Sequence, residues 1–245
     1  MSSSRLIRQR IWERLKDAAK ADTRLHLDFS EVIPDFERSD EATDRIVAQD
    51  AFKNSRLAFV TPDNSMTGLR QRMIEAGIPF VMSTYNISRG FLYLAPGVVP
   101  DGAALYASWL DGMEHFARPV SLEEIAALGR FDFAATGASA VTTDGIRFGK
   151  GHLYFDLEWG MFTDLGLMEE TTPVAAIVHD VQVVDEKIMV SETDIAIDMI
   201  ATPTRLVHVE RQTRRPRGIR WDLISKDRIS EIPPLQELAR MRGIA

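Results

Sequence analysis

The chain has 245 residues, 45% hydrophobic and 27% charged, with a formal net charge of −7 and no cysteine. The lack of cysteine excludes disulfides, thiolate zinc sites and cysteine nucleophiles, and the negative charge argues against nonspecific nucleic-acid binding as the main task. A chain of this length suits one large α/β domain or two small ones. No linker-like stretch divides it, so we read one domain over 1–245 with a C-terminal extension from about residue 203. The N-terminal stretch is charged throughout and lacks a signal-peptide core, and no apolar run reaches membrane-spanning length, so a cytoplasmic protein without membrane or nucleic-acid partners is expected.

In chain order, Leu6, Ile7, Ile11, Leu15 and Ala18 recur at helical spacing and predict a helix over 5–21. A second helix is expected over 40–51, with Ala42, Ile46 and Val47 on one face. Residues 56–60 form a short apolar run closed by Pro62 and Asp63, which reads as a buried strand. A helix over 66–75 follows, ended by Gly77, and then a strand over 80–82. Strand–helix–strand alternation predicts an α/β fold, a mostly parallel central sheet with helices on both faces in three αβα layers. Residues 90–120 read as irregular, with Pro96, Gly97, Pro100 and Gly102 marking loops. Ser121 and Glu124 form a capping box ahead of a helix over 121–128. Strands are expected over 131–135, 174–178, 181–184 and 202–209, and a last helix over 235–241.

The most informative stretch is DGIRFGKGHLYFDLEW, residues 144–159. Glycine lets backbone N–H groups approach a ligand closely, and successive N–H groups before a helix N-terminus form an anion site. Arg147 and Lys150 would add full charges around Gly149 and Gly151. Asp156 lies five residues beyond Gly151, where a carboxylate can hold Mg²⁺ against phosphate oxygens. The stretch reads as a nucleoside triphosphate site, although a glycine-rich turn can equally be only a turn. It is neither a Walker A loop nor a dinucleotide-binding fingerprint. Ligands of open α/β sheets sit beyond the carboxyl ends of strands, which points to the loops after Val60 and Ala135. Five histidines show no HxH or HExxH spacing, so zinc is not expected. His179 reads as structural. Glu158 either partners the helix dipole or faces the site. The basic run RQTRRPRGIRW, 211–221, reads as a partner for acidic groups within the protein, or as an attractor of an anionic ligand.

RFGKGHLYFD resembles the glycine-rich motif of the 5-formyltetrahydrofolate cyclo-ligase family, roughly R-x-G-x-G-x-G-Y-Y-D. Arg147, Gly149, Gly151, Tyr154 and Asp156 fall on that pattern, while Leu153 replaces its third glycine and Phe155 its second tyrosine. IRQRIWERL, IPDF, TPDNSMTGLR, HDVQVV, SETDIAID and PRGIRWDLI extend the resemblance in order along the chain, toward the divergent, cyclo-ligase-like branch. The resemblance implies a cyclo-ligase-like fold, ATP and Mg²⁺ as cofactors and a reduced folate as substrate. It implies that Arg8, Gly149, Lys150, Gly151, Tyr154 and Asp156 bind the nucleotide, with Ser4 standing where the family has a lysine. Asp156 and Asp194 would hold the metal, although Asp194 also suits a turn in SETD. Asn64, Ser65 and Thr67, together with Tyr154, would shape the folate pocket; the first three suit a helix cap equally well. Arg147, Lys150, His152 and Tyr154 would surround the reacting centre. The implied reaction converts 5-formyltetrahydrofolate and ATP into 5,10-methenyltetrahydrofolate, ADP and phosphate. The substitutions leave open another substrate, or a non-catalytic nucleotide-binding module.

Overall fold

The computed structural model describes residues 3–186 and 191–244. Helix α1 (Ser3–Leu15) is followed by α2 (Ser39–Val47), α3 (Asp50–Lys53), strand β1 (Ala58–Val60), α4 (Thr67–Glu75), β2 (Phe80–Ser83) and β3 (Phe91–Leu94). Then come α5 (Ala104–Ser108), α6 (Leu110–Met113), β4 (Arg118–Val120), α7 (Leu122–Leu128), β5 (Phe133–Thr136), β6 (Ala140–Thr142) and β7 (Arg147–Phe148). Helix α8 (Tyr154–Asp164) leads to β8 (Val174–Ile177), β9 (Val183–Val184), β10 (Met199–Ala201), β11 (Leu206–His208), α9 (Lys226–Glu231) and α10 (Pro233–Arg242).

Eight strands form the central sheet in the order β11-β10-β8-β5-β1-β2-β3-β4. Its centre, β10-β8-β5-β1-β2, is parallel, and the antiparallel pairs lie at the two edges. Side chains alternate across each strand, so β1 sends Ala58 and Val60 to one core and Phe59 to the other. The first core packs α2, α3, α4 and α6 on one face, through Ile46, Phe52, Leu69 and Met113. The second packs α7, α8 and α10 on the opposite face, through Ile125, Trp159, Phe162 and Leu235. This is the expected three-layer α/β arrangement.

A second sheet, β7-β6-β9, was not foreseen. Ile7 and Ile11 of α1 pack on it, against Ala140, Ile146, Phe148 and Val184. The helix expected over 5–21 stops at Leu15 because residues 18–20 pair with 35–37, through Lys20 N–H to the Asp35 carbonyl (2.8 Å) and Glu37 N–H to the Ala18 carbonyl (2.8 Å). The strand expected over 202–209 is a hairpin: Pro203 has no N–H for a ladder, and Thr202 N–H bonds the Arg205 carbonyl (2.8 Å), which turns β10 into β11. The first half of the strand expected over 181–184 is a single 3₁₀ turn, Asp180–Gln182, and the second half is β9, Val183–Val184. The region read as irregular holds two strands and two short helices; Pro119 is tolerated because β4 is an edge strand. The capping box at Ser121 is present, with Glu124 N–H donating to Ser121 Oγ (3.1 Å) and Ser121 N–H to the Glu124 carboxylate (2.9 Å). Among the described residues no helix is long and apolar enough to cross a membrane.

Candidate active site

A cavity of about 570 Å³ opens beyond the carboxyl ends of β1 and β2. Thr61, Pro62 and Asp63 after β1 and Ser83 at the end of β2 form one side of it. The turn Tyr85–Ile87, Arg8 of α1, the run 147–156, Glu158 and Asp194 complete most of the wall. Asn86 and Ile87 both hold φ at 56°, which costs about 1–3 kcal/mol per residue outside glycine and is tolerated where the surroundings fix the turn.

The glycines of the loop make room for cations. A Cβ on Gly149 would lie 3.2 Å from the Arg147 guanidinium, and one on Gly151 would lie 3.6 Å from that of Arg8. Gly151 also has φ 111°, open to glycine and strained for other residues. Leu153, at the position of the third glycine of the motif it resembles, holds a left-handed conformation (φ 58°) as the N-cap of α8, one that glycine adopts without strain. Arg147 is buried; its Nε donates to the Gly137 carbonyl (2.8 Å) and its guanidinium lies 4.8 Å from the Phe155 ring. Lys150 Nζ donates to the Glu31 carbonyl (2.5 Å) and to the Tyr85 hydroxyl (3.2 Å), 4.6 Å from the Tyr85 ring centre. Burial lowers the pKa of Lys150, opposed by Asp63 and Glu31, and burial also lowers that of Arg8.

Among the described residues four carboxyl side chains line the cavity, those of Asp63, Asp156, Glu158 and Asp194, and of these Asp156 and Asp194 act on each other. Asp156 sits in the first turn of α8, at the positive end of the helix. Burial pushes its pKa up to about 6; Arg147 opposes that shift and Asp194 adds to it, which is the signature of two neighbouring acids. Asp194 accepts from Ser191 N–H (2.7 Å), so it closes the SETD turn and lines the cavity at once. Among the described residues no group of three or more His, Asp or Glu side chains is disposed to hold a metal. A pair of carboxylates beside an anion loop nevertheless fits Mg²⁺, which keeps water and phosphate oxygens in its octahedron.

Arg8, Arg147, Gly149, Lys150, Gly151, His152, Tyr154, Asp156 and Asp194 are therefore brought to one cavity. Asn64, Ser65 and Thr67 are not among its lining residues, which corrects their expected place in a substrate pocket. Asn64 Nδ2 donates to the Asp22 carboxylate (2.7 Å), Ser65 is buried against Gly137, and Thr67 Oγ1 accepts from Arg70 (3.2 Å). Arg70 is fully buried and takes the Thr61 and Asp63 carbonyls (3.0 Å each), so residues 61–63 present the loop to the cavity and 64–67 turn inward. His179 is structural as expected: its Nδ1 accepts from Val181 N–H (3.3 Å) and its ring meets Phe36 edge-on. The basic run pairs internally, Arg211 and Arg215 with Asp198, and Arg220 with Asp222.

Ser83, Tyr85 and Arg228 escaped the sequence reading. Ser83 ends a parallel strand, so the strand-end rule applied to β2 would have found it. Arg228 lies in α9, far along the chain. Its guanidinium stacks 4.6 Å from the Tyr154 ring centre and donates to the His152 carbonyl (2.8 Å). No local pattern announces that contact.

The sequence is 31% identical over 240 residues to the methenyltetrahydrofolate synthase domain-containing protein of Mus musculus, covering 96% of this chain and 63% of that protein. It is 31% identical over 236 residues to the Homo sapiens protein of the same name, covering 95% of this chain and 60% of that one. The chain thus spans less than two thirds of the length of these relatives. A solved structure of the Aquifex aeolicus 5,10-methenyltetrahydrofolate synthetase superposes with a TM-score of 0.48 at 16% identity, covering 86% of this chain and 94% of that one. Residues 1–203 match the 5-formyltetrahydrofolate cyclo-ligase family. That match takes in α1, the glycine-rich loop and the SETD turn, the three segments that bring cations and carboxylates to the cavity, and the chain belongs to the 5-formyltetrahydrofolate cyclo-ligase family.

Proposed function

We propose that the protein is an ATP- and Mg²⁺-dependent 5-formyltetrahydrofolate cyclo-ligase. The observation that carries this reading is the meeting, in one cavity, of Arg8, Arg147 and Lys150 with the carboxylates Asp156 and Asp194 at the N-terminus of α8. Arg8, Lys150 and the loop N–H groups would bind the nucleotide phosphates, and Arg147 would neutralise charge as the γ-phosphoryl group transfers. Asp156 and Asp194 would hold Mg²⁺, which supplies charge neutralisation at the phosphate oxygens. The formyl oxygen attacks the γ-phosphorus and ADP leaves. The neighbouring N–H nitrogen then attacks the activated carbon, and as the five-membered ring closes phosphate departs with the former formyl oxygen and takes up the nitrogen's proton. Tyr154 and His152 line the reacting centre, and the chain's main contribution is to hold both reactants in register.

The test is purified protein with ATP, Mg²⁺ and 5-formyltetrahydrofolate, followed by the near-ultraviolet absorbance of the methenyl product. Product that depends on all three reagents is expected. Intact ATP binding without product would reject the cyclo-ligase reading and leave a nucleotide-dependent protein with another substrate. No ATP binding would reject the nucleotide assignment itself.

A further inference from the structure

Two side chains on the floor of the cavity have no role in the steps above. Ser83, at the end of β2, is 0% exposed, and Glu158, in the second turn of α8, is 1% exposed. Ser83 Oγ and Glu158 Oε2 are both buried with no hydrogen bond of good geometry, and both residues line the cavity. Burial pushes the Glu158 pKa up to about 8, and the nearby Ser83 hydroxyl only partly opposes that. Buried polar atoms of native proteins are nearly always partnered, so two orphans in one ligand-sized cavity need a cause. The fold supplies none. Around Glu158, α8 buries Phe155, Leu157, Trp159, Met161 and Phe162, and a leucine would serve that packing. Asp63, the other acid on this side, is held through one oxygen: its Oδ2 accepts from both Thr61 Oγ1 (2.6 Å) and Gly137 N–H (2.9 Å).

The cavity is therefore polarised. Cations line the glycine loop, and an acid with a free acceptor lies at the floor. An anionic group is drawn to the first, and the second offers polar atoms that no protein group fills. Ile87 and Phe155 add apolar surface to the lining. We propose that Ser83 and Glu158 form a subsite that grips the second substrate by a hydrogen-bond-donating edge of a nitrogen heterocycle, a ring N–H or an amino group beside it. An ionised carboxylate accepts from two adjacent N–H donors in a planar, paired geometry, such donors favour the ionised form in a buried site, and the serine hydroxyl can give or receive a third bond. The inference rests on the two-substrate reading above and adds which residues select the ring.

The experiment compares Glu158→Leu, Glu158→Gln and Ser83→Ala with the unmodified chain by calorimetry, titrating ATP with Mg²⁺ and, separately, 5-formyltetrahydrofolate, whose ring carries such an edge. Glu158→Leu should weaken folate binding by about tenfold or more, the scale of a lost bond to an ionisable group, with ATP affinity held within about twofold. Glu158→Gln, which keeps one acceptor, should fall between, and Ser83→Ala should lose about threefold. The melting temperature of Glu158→Leu should not drop, because an unpartnered polar group is being removed; a merely structural glutamate would behave in the opposite way. Unchanged folate affinity in Glu158→Leu, or an equal loss of ATP and folate, overturns the subsite. If the unmodified chain binds no 5-formyltetrahydrofolate, the folate reading fails separately, and the floor is then probed with pterin alone by NMR. Pterin shifts that vanish in Glu158→Leu uphold the subsite, and their absence in the unmodified chain overturns it.

Discussion

Replacing Lys150 by alanine separates what this side chain does for the fold from what it does for the nucleotide. In the folded chain its ammonium bonds the Glu31 carbonyl and the Tyr85 hydroxyl. Tyr85 also donates to that carbonyl, so Lys150→Ala does not orphan it. The loss to stability is then two bonds of one part-buried cation, offset in part by the desolvation that lowers its pKa, about 1–2 kcal/mol, or a fall of about 2–8 °C in melting temperature for a domain of this size. A charge-assisted bond to phosphate is worth about 1.5–3 kcal/mol, so ATP affinity should fall by about 10- to 150-fold. Lys150→Gln, which can still reach the carbonyl without the charge, should keep the melting temperature and lose affinity nearly as much. Calorimetric titration with a nonhydrolysable ATP analogue and Mg²⁺, beside thermal unfolding, reads both quantities. An analogue affinity unchanged within about twofold in both variants, with tight binding to the unmodified chain, would refute the phosphate-loop assignment.

Asp156→Asn should abolish turnover or raise the Mg²⁺ concentration needed for it by at least about tenfold in a metal titration. Burial keeps the Asp156 pKa above its unfolded value, so ionisation costs the folded state as pH rises, and the same variant should not lower the unfolding midpoint at neutral pH in metal-free buffer. Arg228→Ala should weaken ATP binding several-fold by releasing the His152 carbonyl and the Tyr154 ring, and Arg228→Lys should recover part of the loss; equal affinities in all three proteins would show that α9 is a bystander. For Asp22, burial raises the pKa, but bonds from the Arg24 and Asn64 side chains and from the N–H groups of Arg24 and Leu25 outweigh it and leave the carboxyl below its usual range. Its contribution is complete above the unfolded pKa near 4 and is lost as pH falls through the lower folded value. Urea unfolding of Asp22→Asn should therefore show a shallower loss of stability below pH ~4 than the unmodified chain.

The sheet and the glycine-rich loop were legible because their signals are local. Val60 and Ala135 end apolar runs at turn residues, and the spacing of Arg147, Gly149, Gly151 and Asp156 sits within ten residues of sequence. Asn64, Ser65 and Thr67 misled because the loop that carries them does reach the cavity, but only over 61–63. The decision is made by Arg70, whose buried guanidinium pulls the Thr61 and Asp63 carbonyls and leaves the next turn facing Asp22. β6 and β7 went unread because strands of two or three residues give too few positions for a period of two, and they exist through pairing with β9 and cover from α1. Glu158 was seen with two open readings, and only its burial beside the cavity separates them.

Arg8 belongs to the first helix and Arg228 to the ninth, yet they approach Gly151 and His152, adjacent residues of one loop. Joining segments so distant in sequence carries a loop-closure cost that local contacts do not. The central strands pair through shorter separations and do not need either arginine. The ligand loop should therefore loosen on warming before the central sheet does, so activity should fade on heating before the sheet melts.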